Sequence, residues 1–223
     1  MQRVVLALAA ILALAYGLLG PSLYAGAAPY ALPALFKASS VIVLGLVALS
    51  ARSRLLGAGL LFGSLGDALL AWSHDTFIFG AGAFLLGHIC YIALFLRAGM
   101  GFGAALKQPL RLAAIAAVFA ASLATTAFLV PGDSALFAPL SVYTGVLTVM
   151  TITSFTLPAA RWLAMAGAVL FFISDGFVAA HVFHADDPLV ASFGFGFAGW
   201  MLYWAGQAAL CVGALGLHKP TTT

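Results

Sequence analysis

Long apolar runs separated by short polar breaks set the pattern of this chain. About 20 consecutive apolar residues are enough to cross a bilayer as an α-helix. Eight such runs fit the sequence and predict transmembrane helices at about 4–19, 30–49, 55–72, 77–96, 110–130, 136–155, 162–183 and 191–217. Turn-forming residues such as Gly20-Pro21 and Pro131-Gly132 lie in the breaks. We therefore predict an all-α integral membrane protein, with residues 1–223 forming one compact eight-helix bundle.

The composition excludes an ordinary soluble domain. Of the 223 residues, 64% are hydrophobic and 7% are charged, whereas about a quarter of a soluble domain is charged. Cys90 and Cys211 are isolated within predicted helices, which is not the spacing of a disulfide framework or a metal site. Zinc favours several His or Cys ligands, and the sequence offers no His-x-x-x-His pair. We predict no metal and no cofactor.

The charged residues predict the orientation of the chain. With a cytoplasmic N-terminus and alternating helices, eight of the nine basic residues fall on the cytoplasmic side: Arg3, Arg52, Arg54, Arg97, Lys107, Arg111, Arg161 and Lys219. The loop aspartates fall on the opposite side: Asp75, Asp133, Asp186 and Asp187. This is the positive-inside pattern. It accounts for the net charge of +3 without a nucleic-acid partner, and it predicts both termini in the cytoplasm, with a bacterial inner (plasma) membrane as the expected location.

The first apolar run has a second interpretation as a signal peptide. Arg3 precedes the run, and Ala25-Gly26-Ala27 resembles a cleavage site. The run is long for a signal peptide, and Gly20-Pro21 is typical of a turn that ends a helix. We therefore expect a retained helix, and removal would leave the other seven spans unchanged.

Two aspartates interrupt the apolar helices within segments of similar sequence. Asp67 lies in Leu-Phe-Gly-Ser-Leu-Gly-Asp-Ala-Leu-Leu-Ala, and Asp175 lies in Val-Leu-Phe-Phe-Ile-Ser-Asp-Gly-Phe-Val-Ala. A charged group in hydrocarbon costs about 2.5–3.5 kcal/mol on insertion scales, and such residues mark functional sites. The two segments are half the chain apart, which suggests parallel four-helix repeats of about 1–108 and 109–223. Chance similarity is the alternative, since Lys37 and His88 have no counterpart in the second half.

Further polar side chains are predicted at depth, most of them between the outer third and the middle of the membrane. They are Lys37, His88, Tyr91, Tyr143, Ser174, Tyr203 and Gln207. With the aspartates they come from six helices, and in a closed bundle they would converge on one cavity. Each also has a structural interpretation. Lys37 could form a buried ion pair with Asp67, His88 could bond a backbone carbonyl, and the tyrosines and Gln207 could hold helices together.

The ordered set of these segments resembles the YhhN-like membrane proteins, a family that includes the lysoplasmalogenases. The likeness runs from about residue 30 to 215 and rests on four stretches: residues 60–71 with Gly66-Asp67, 82–91 with His88, 170–180 with Ser174-Asp175, and 203–207. Lys37 also resembles the family's second-helix lysine, although Ala38 stands where the family usually has proline.

The resemblance implies an eight-helix enzyme that hydrolyses the vinyl ether bond of a lysoplasmalogen. The products would be a fatty aldehyde and a glycerophospho-base, so the expected partners are a lysophospholipid substrate and membrane lipid. On this view Asp67, Asp175 and His88 are catalytic candidates, and the remaining polar residues are candidates for substrate binding: Lys37, Tyr91, Tyr143, Ser174, Tyr203 and Gln207.

The residues themselves are compatible with this chemistry. Vinyl ether hydrolysis begins with proton transfer to carbon and passes through an oxocarbenium-like cation. Two carboxyl groups in apolar surroundings titrate apart, so a pair can supply one acid and one carboxylate, as in glycosidases. The sequence leaves open which aspartate takes which role. Paired acids, a lysine and a histidine also fit a proton-coupled transporter, and a lipid-binding protein without turnover is a third reading. Solute uptake into proteoliposomes, or bound lysolipid without hydrolysis, would distinguish these.

Overall fold

Helices account for nearly all of the chain. The computed structural model describes residues 2–24 and 29–216, without the side chains of Gln2 and Arg3. In those ranges it contains nine α-helices and three short 3₁₀ turns, and no strand. The helices are α1 Gln2–Leu19, α2 Ala31–Ser50, α3 Arg54–Trp72, α4 Phe77–Ala98, α5 Phe102–Leu106, α6 Pro109–Leu129, α7 Phe137–Ser154, α8 Trp162–Phe183 and α9 Phe193–Leu215. The all-α prediction is confirmed. The Ala25-Gly26-Ala27 motif and Lys219 lie outside the described residues.

Seven of the described helical segments are long and apolar enough to cross a membrane. They are Val4–Leu23, Ala31–Ser50, Arg54–Trp72, His74–Ala98, Pro109–Leu129, Phe137–Ser154 and Ala159–Phe183. The helix α9 has 23 residues, but Gln207 and its tryptophans lower its mean hydropathy, and it is not among the seven. These segments indicate an integral membrane protein. The exact count of eight spans stays a prediction.

The helix α5 was not predicted from the apolar pattern, because five residues are too few to show a helical period. Its start is set by Gly101, whose positive φ of 84° separates α5 from the end of α4. Pro109 then begins α6 at a position where its missing N–H costs no hydrogen bond. The predicted turn at Gly20-Pro21 is confirmed, since α1 ends at Leu19 and a 3₁₀ turn follows.

The chain forms two compact units that divide within α4, at Tyr91. In the first unit, α2 packs antiparallel on α3, with Gly45 against Leu61 and Gly57 against Leu49. The contact of α3 with α4 also runs through glycines: a Cβ added at Gly66 would lie 2.6 Å from the ring of Phe84. In a membrane, small residues allow this close approach of two helices.

The second unit is built mainly on the pair α8 and α9. A Cβ added at Gly167 would lie 2.6 Å from the carbonyl oxygen of Gly206, so the two backbones are in direct contact there. The helices α6 and α7 are joined by a bond of 2.7 Å between the hydroxyls of Thr148 and Ser122. Both aspartate helices, α3 and α8, carry a glycine about two turns before the aspartate. The repeat itself stays a prediction.

Arginine side chains bind the carbonyls at the ends of two helices in the second unit. Arg111 donates to the carbonyl of Phe155 and, at 2.6 Å, to that of Leu157. Arg161 donates to the carbonyl of Ala214 at 2.7 Å. The last carbonyls of a helix have no partner within the helix, so these guanidinium groups satisfy acceptors that would otherwise face lipid or water.

Candidate functional site

Asp67 is the most deeply buried carboxylate of the first unit. It lies on α3, directly after Gly66, and is 1% exposed. The half-buried Lys37 of α2 lies within electrostatic range of this carboxylate. This position is compatible with both interpretations of Lys37, as an ion-pair partner of Asp67 and as a ligand for a substrate anion.

Two tyrosines that the sequence did not single out belong to the same group. Tyr16 of α1 and Tyr24 both lie within electrostatic range of Asp67. Their hydroxyl oxygens are 2.9 Å apart and share a hydrogen bond. The sequence signal was weak: Tyr16 lies near the end of the first apolar run, and a lone tyrosine close to a membrane interface is common.

Tyr24 stands just beyond the end of the first span. Burial raises the pKa of its phenol above the usual value of 10.0. The hydrogen bond with Tyr16 lowers the pKa, and the charge of Asp67 raises it. The Tyr24 phenol therefore responds to the electrostatic state of Asp67.

His88 and Tyr91 lie one turn apart on α4, and both side chains are 1% exposed. The Tyr91 ring packs against Gly59 of α3, and Phe84 packs against Gly66. His88 therefore lies about 6 Å along the helix axis from the level of Gly66 and Asp67, since four residues separate it from Phe84. The order of these groups along α3 and α4 is Asp67, then His88, then Tyr91.

A small cavity opens at the end of the first unit where α1 and α3 finish and α2 begins. Its volume is about 220 Å³, and it is lined by Tyr24, Tyr30, Leu70, Ala71, Ser73 and His74. Leu70 and Ala71 follow Asp67 by one helical turn. None of these residues is among the site residues predicted from the sequence.

In the second unit, the carboxylate of Asp175 accepts a hydrogen bond from Tyr143. The phenol oxygen of Tyr143 lies 2.5 Å from Oδ2 of Asp175 and joins α7 to α8. Both side chains are half-buried. The sequence placed the two residues at similar depth but did not predict that they are partners.

The other predicted residues of the second unit have local hydrogen bonds. The hydroxyl of Ser174 donates to the carbonyl of Phe171 at 2.6 Å, so it can offer a substrate only its acceptor lone pairs while this bond holds. The amide nitrogen of Gln207 donates to the hydroxyl of Tyr203 at 3.3 Å. The Tyr203 ring packs edge-on against Phe171, with 5.2 Å between the centroids. Tyr203 and Gln207 are both buried.

The predicted site residues thus form two groups, one in each unit. The first contains Lys37, Asp67, His88 and Tyr91, and the second contains Tyr143, Ser174, Asp175, Tyr203 and Gln207. That all of them line one cavity stays a prediction. In the ranges that the structure describes, no three His, Cys, Asp or Glu side chains form a group able to hold a metal ion.

The comparison with protein families decides the identity of the chain. The model of the YhhN family matches residues 32–214. This chain belongs to the YhhN family. The match contains both aspartate helices and the lysine on α2, so the resemblance predicted from those segments is confirmed.

Two relatives of this YhhN chain carry the name lysoplasmalogenase, one from Mycobacterium bovis and one from Mycobacterium tuberculosis. Each is 33% identical over 151 residues, which is 64% of this chain and 57% of the relative. The aligned region is therefore less than two thirds of the length of those relatives. No solved structure matches the chain.

Proposed function

We propose that this protein hydrolyses the vinyl ether bond of lysoplasmalogens, or of a related lysolipid ether, to a fatty aldehyde and a glycerophospho-base. The family membership and the relatives named lysoplasmalogenase support a hydrolase of this type. The observation that carries the proposal is the pair of intramembrane aspartates: Asp67 lies within electrostatic range of Lys37, and Asp175 accepts a hydrogen bond from Tyr143.

The reaction requires one proton donor and one negative charge. A carboxylic acid donates its proton to the double-bond carbon that is farther from the ether oxygen. The carbon bonded to the oxygen then becomes an oxocarbenium cation. Water adds to that carbon, its proton passes to a base, and the hemiacetal separates into an aldehyde and an alcohol. General acid catalysis by a positioned side chain contributes about 10²–10⁴-fold to such a step.

Asp67 and Asp175 are the proposed residues for these two roles. The positive charge of Lys37 beside Asp67 favours Asp67 as the ionised member that stabilises the cation. Asp175 is then the proton donor, oriented by its bond with Tyr143. Lys37 is also the proposed ligand for the lipid phosphate, and His88 is a proposed proton relay on α4.

The decisive experiment measures aldehyde release from a lysoplasmalogen by the purified Asp67→Asn and Asp175→Asn variants. We expect each to lower turnover at least about 100-fold, because the amide can neither donate a proton nor carry a charge. Asp133→Asn is the matched control, since it makes the same change at an exposed position in a turn. The control should retain wild-type turnover.

The double variant shows whether the two aspartates serve one step. Residues that act as a unit have strongly non-additive effects, so Asp67→Asn/Asp175→Asn should be about as slow as the slower single variant. Near wild-type turnover in both single variants would contradict the proposed mechanism. A folded wild-type protein that releases no aldehyde would contradict the activity itself.

A further inference from the structure

The cavity at the end of the first unit is not accounted for by the chemistry of the ether bond. Its lining is mixed, with Tyr24, Tyr30, Ser73 and His74 as the polar members. It lies beyond Asp67, at the ends of α1 and α3, where a lipid headgroup rather than an acyl chain would be found. The aromatic rings of the lining and the charges around it indicate which part of a headgroup fits.

Two aromatic rings form a corner in this cavity. The ring centroids of Tyr24 and Tyr30 are 5.1 Å apart, and the ring planes meet at 66°. The corner is fixed from both sides. The backbone N–H of Tyr30 donates to the carbonyl of Trp72 at 2.8 Å, and the hydroxyl of Tyr24 is bonded to that of Tyr16. An organic cation is attracted to the faces of such rings, which is how proteins recognise quaternary ammonium groups.

Charge around the cavity also favours a cation. Asp67 acts on Tyr24 from the buried side, and Asp75 stands in the 3₁₀ turn that follows Ser73. The cavity therefore has one carboxylate within electrostatic range of Tyr24 and a second next in sequence to the lining residue His74.

Lys37 lies at the level where the phosphate of the same headgroup would be found. The contacts of Gly45 with Leu61 and of Leu49 with Gly57 fix the antiparallel register of α2 and α3. That register places Lys37 opposite Leu69 and Leu70, between the cavity and Asp67. The axial distance from Ser73 to Asp67 is about 9 Å at 1.5 Å per residue. Ammonium, phosphate and glycerol follow one another in this order in a phospho-amino-alcohol headgroup.

We propose that the cavity of Tyr24, Tyr30, Ser73 and His74 binds the ammonium group of a choline- or ethanolamine-type headgroup. The inference rests on the proposed function for the reacting end of the lipid, but the binding of the headgroup can be measured without turnover. The corner supplies the aromatic faces, and Lys37 holds the phosphate between the corner and Asp67.

The experiment uses the whole protein in maltoside micelles, which contain no ammonium group, and follows binding by isothermal titration calorimetry. Three soluble probes are compared: glycerophosphocholine, choline and glycerol 3-phosphate. We expect glycerophosphocholine to bind most tightly, and choline to compete with it.

Removal of one aromatic face by Tyr30→Leu should weaken the binding of glycerophosphocholine about 3- to 10-fold. Tyr30→Phe, which keeps the face, should bind glycerophosphocholine as the wild type does. Phe79→Leu, an exposed aromatic elsewhere in the unit, is the control and should change nothing.

The contrary results are equally defined. Equal binding of glycerophosphocholine and glycerol 3-phosphate by the wild type would overturn the proposal, whatever the variants do. Unchanged binding by a folded Tyr30→Leu protein would overturn it as well, and Tyr24→Leu, at a side chain that is 37% exposed, serves if Tyr30→Leu does not fold. Aldehyde release is measured separately. Binding without turnover would support the headgroup site and contradict the hydrolase, and turnover with no preference for the ammonium would do the reverse.

Discussion

Each intramembrane aspartate has a distinct set of neighbours. Asp67 has an ammonium group and two linked phenols within electrostatic range, and Asp175 accepts a hydrogen bond from a single phenol. Because one partner is charged and the other is neutral, the two carboxyls do not have equivalent electrostatic surroundings. A reaction that needs both an acid and a carboxylate is consistent with this difference.

The electrostatic state of Asp67 can be read from Tyr24. Burial holds the pKa of Tyr24 above 10.0, and the charge of Asp67 raises it further. We expect Asp67→Asn to lower this pKa toward 10.0, measured by ultraviolet difference titration of the phenolate, with Tyr24→Phe as the blank that identifies the signal. Because the pKa of Tyr24 is raised in the folded state, this group stabilises the folded state relative to the unfolded state below about pH 10. The contribution is lost as the pH rises through the pKa of the folded state. An unchanged Tyr24 titration would show that Asp67 carries no charge near that pH.

The residues that the sequence identified and those that it missed differ for a physical reason. Hydropathy gives the depth of a residue, so Lys37, Asp67 and Asp175 were placed correctly within helices. It does not give the direction of a side chain toward a particular neighbour, so the bond from Tyr143 to Asp175 was not predicted. Tyr24 was missed because it follows the first run, outside the apolar pattern.

At the scale of the helix, glycine determines which pairs can meet closely. The pair α8 and α9 is in backbone contact at Gly167, Gly206 and Gly213. Overpacking of such a contact costs about 1–3 kcal/mol, because a backbone cannot move aside as a flexible side chain can. The aspartate helix α8 depends on this contact for its position.

Gly213→Ala should therefore destabilise the second unit. The added Cβ would lie 2.8 Å from the backbone carbon of Leu163 and would also overlap Ala164. Gly145→Ala is the matched control, since a Cβ there would meet nothing within 4 Å. We expect a lower thermal midpoint for the first variant and an unchanged one for the second, measured in micelles by loss of the monodisperse elution peak. Equal midpoints would mean that α8 and α9 can separate without cost.

The helices themselves were predictable to a large extent. The first seven apolar runs coincide with long apolar helices, because a run of that length has no other way to satisfy its backbone in lipid. The exceptions follow from length and composition. The five residues of α5 are too few for a period, and Gln207, Trp200 and Trp204 dilute the hydropathy of α9.

At the scale of the whole molecule, the arrangement of charge predicts the topology. Basic residues flank the ends of α2, α4 and α6 that should face the cytoplasm, and aspartates occupy the turns predicted on the other side. The prediction covers both termini and every loop, and it does not depend on the function.

Cysteine labelling of intact cells tests this topology. Gln108→Cys lies before α6 and Asp133→Cys after it, and both positions are exposed. An impermeant maleimide should label Asp133→Cys in intact cells and Gln108→Cys only after lysis. The wild type is the background control, since Cys211 is buried and Cys90 lies within α4. Labelling of Gln108→Cys in intact cells would reverse the orientation.

Arg111 and Arg161 have two roles that come at different times in the life of the protein. The positive-inside pattern predicts that, while the chain is being inserted, their charge helps to keep a segment on the cytoplasmic side of the membrane. Once the chain has folded, the same guanidinium groups bind the carbonyls of Phe155, Leu157 and Ala214. A lysine would preserve the charge but would replace the planar guanidinium, whose Nη1 atom in Arg111 donates to two carbonyls, with a compact ammonium group. Biogenesis and mature structure therefore place separate demands on one side chain.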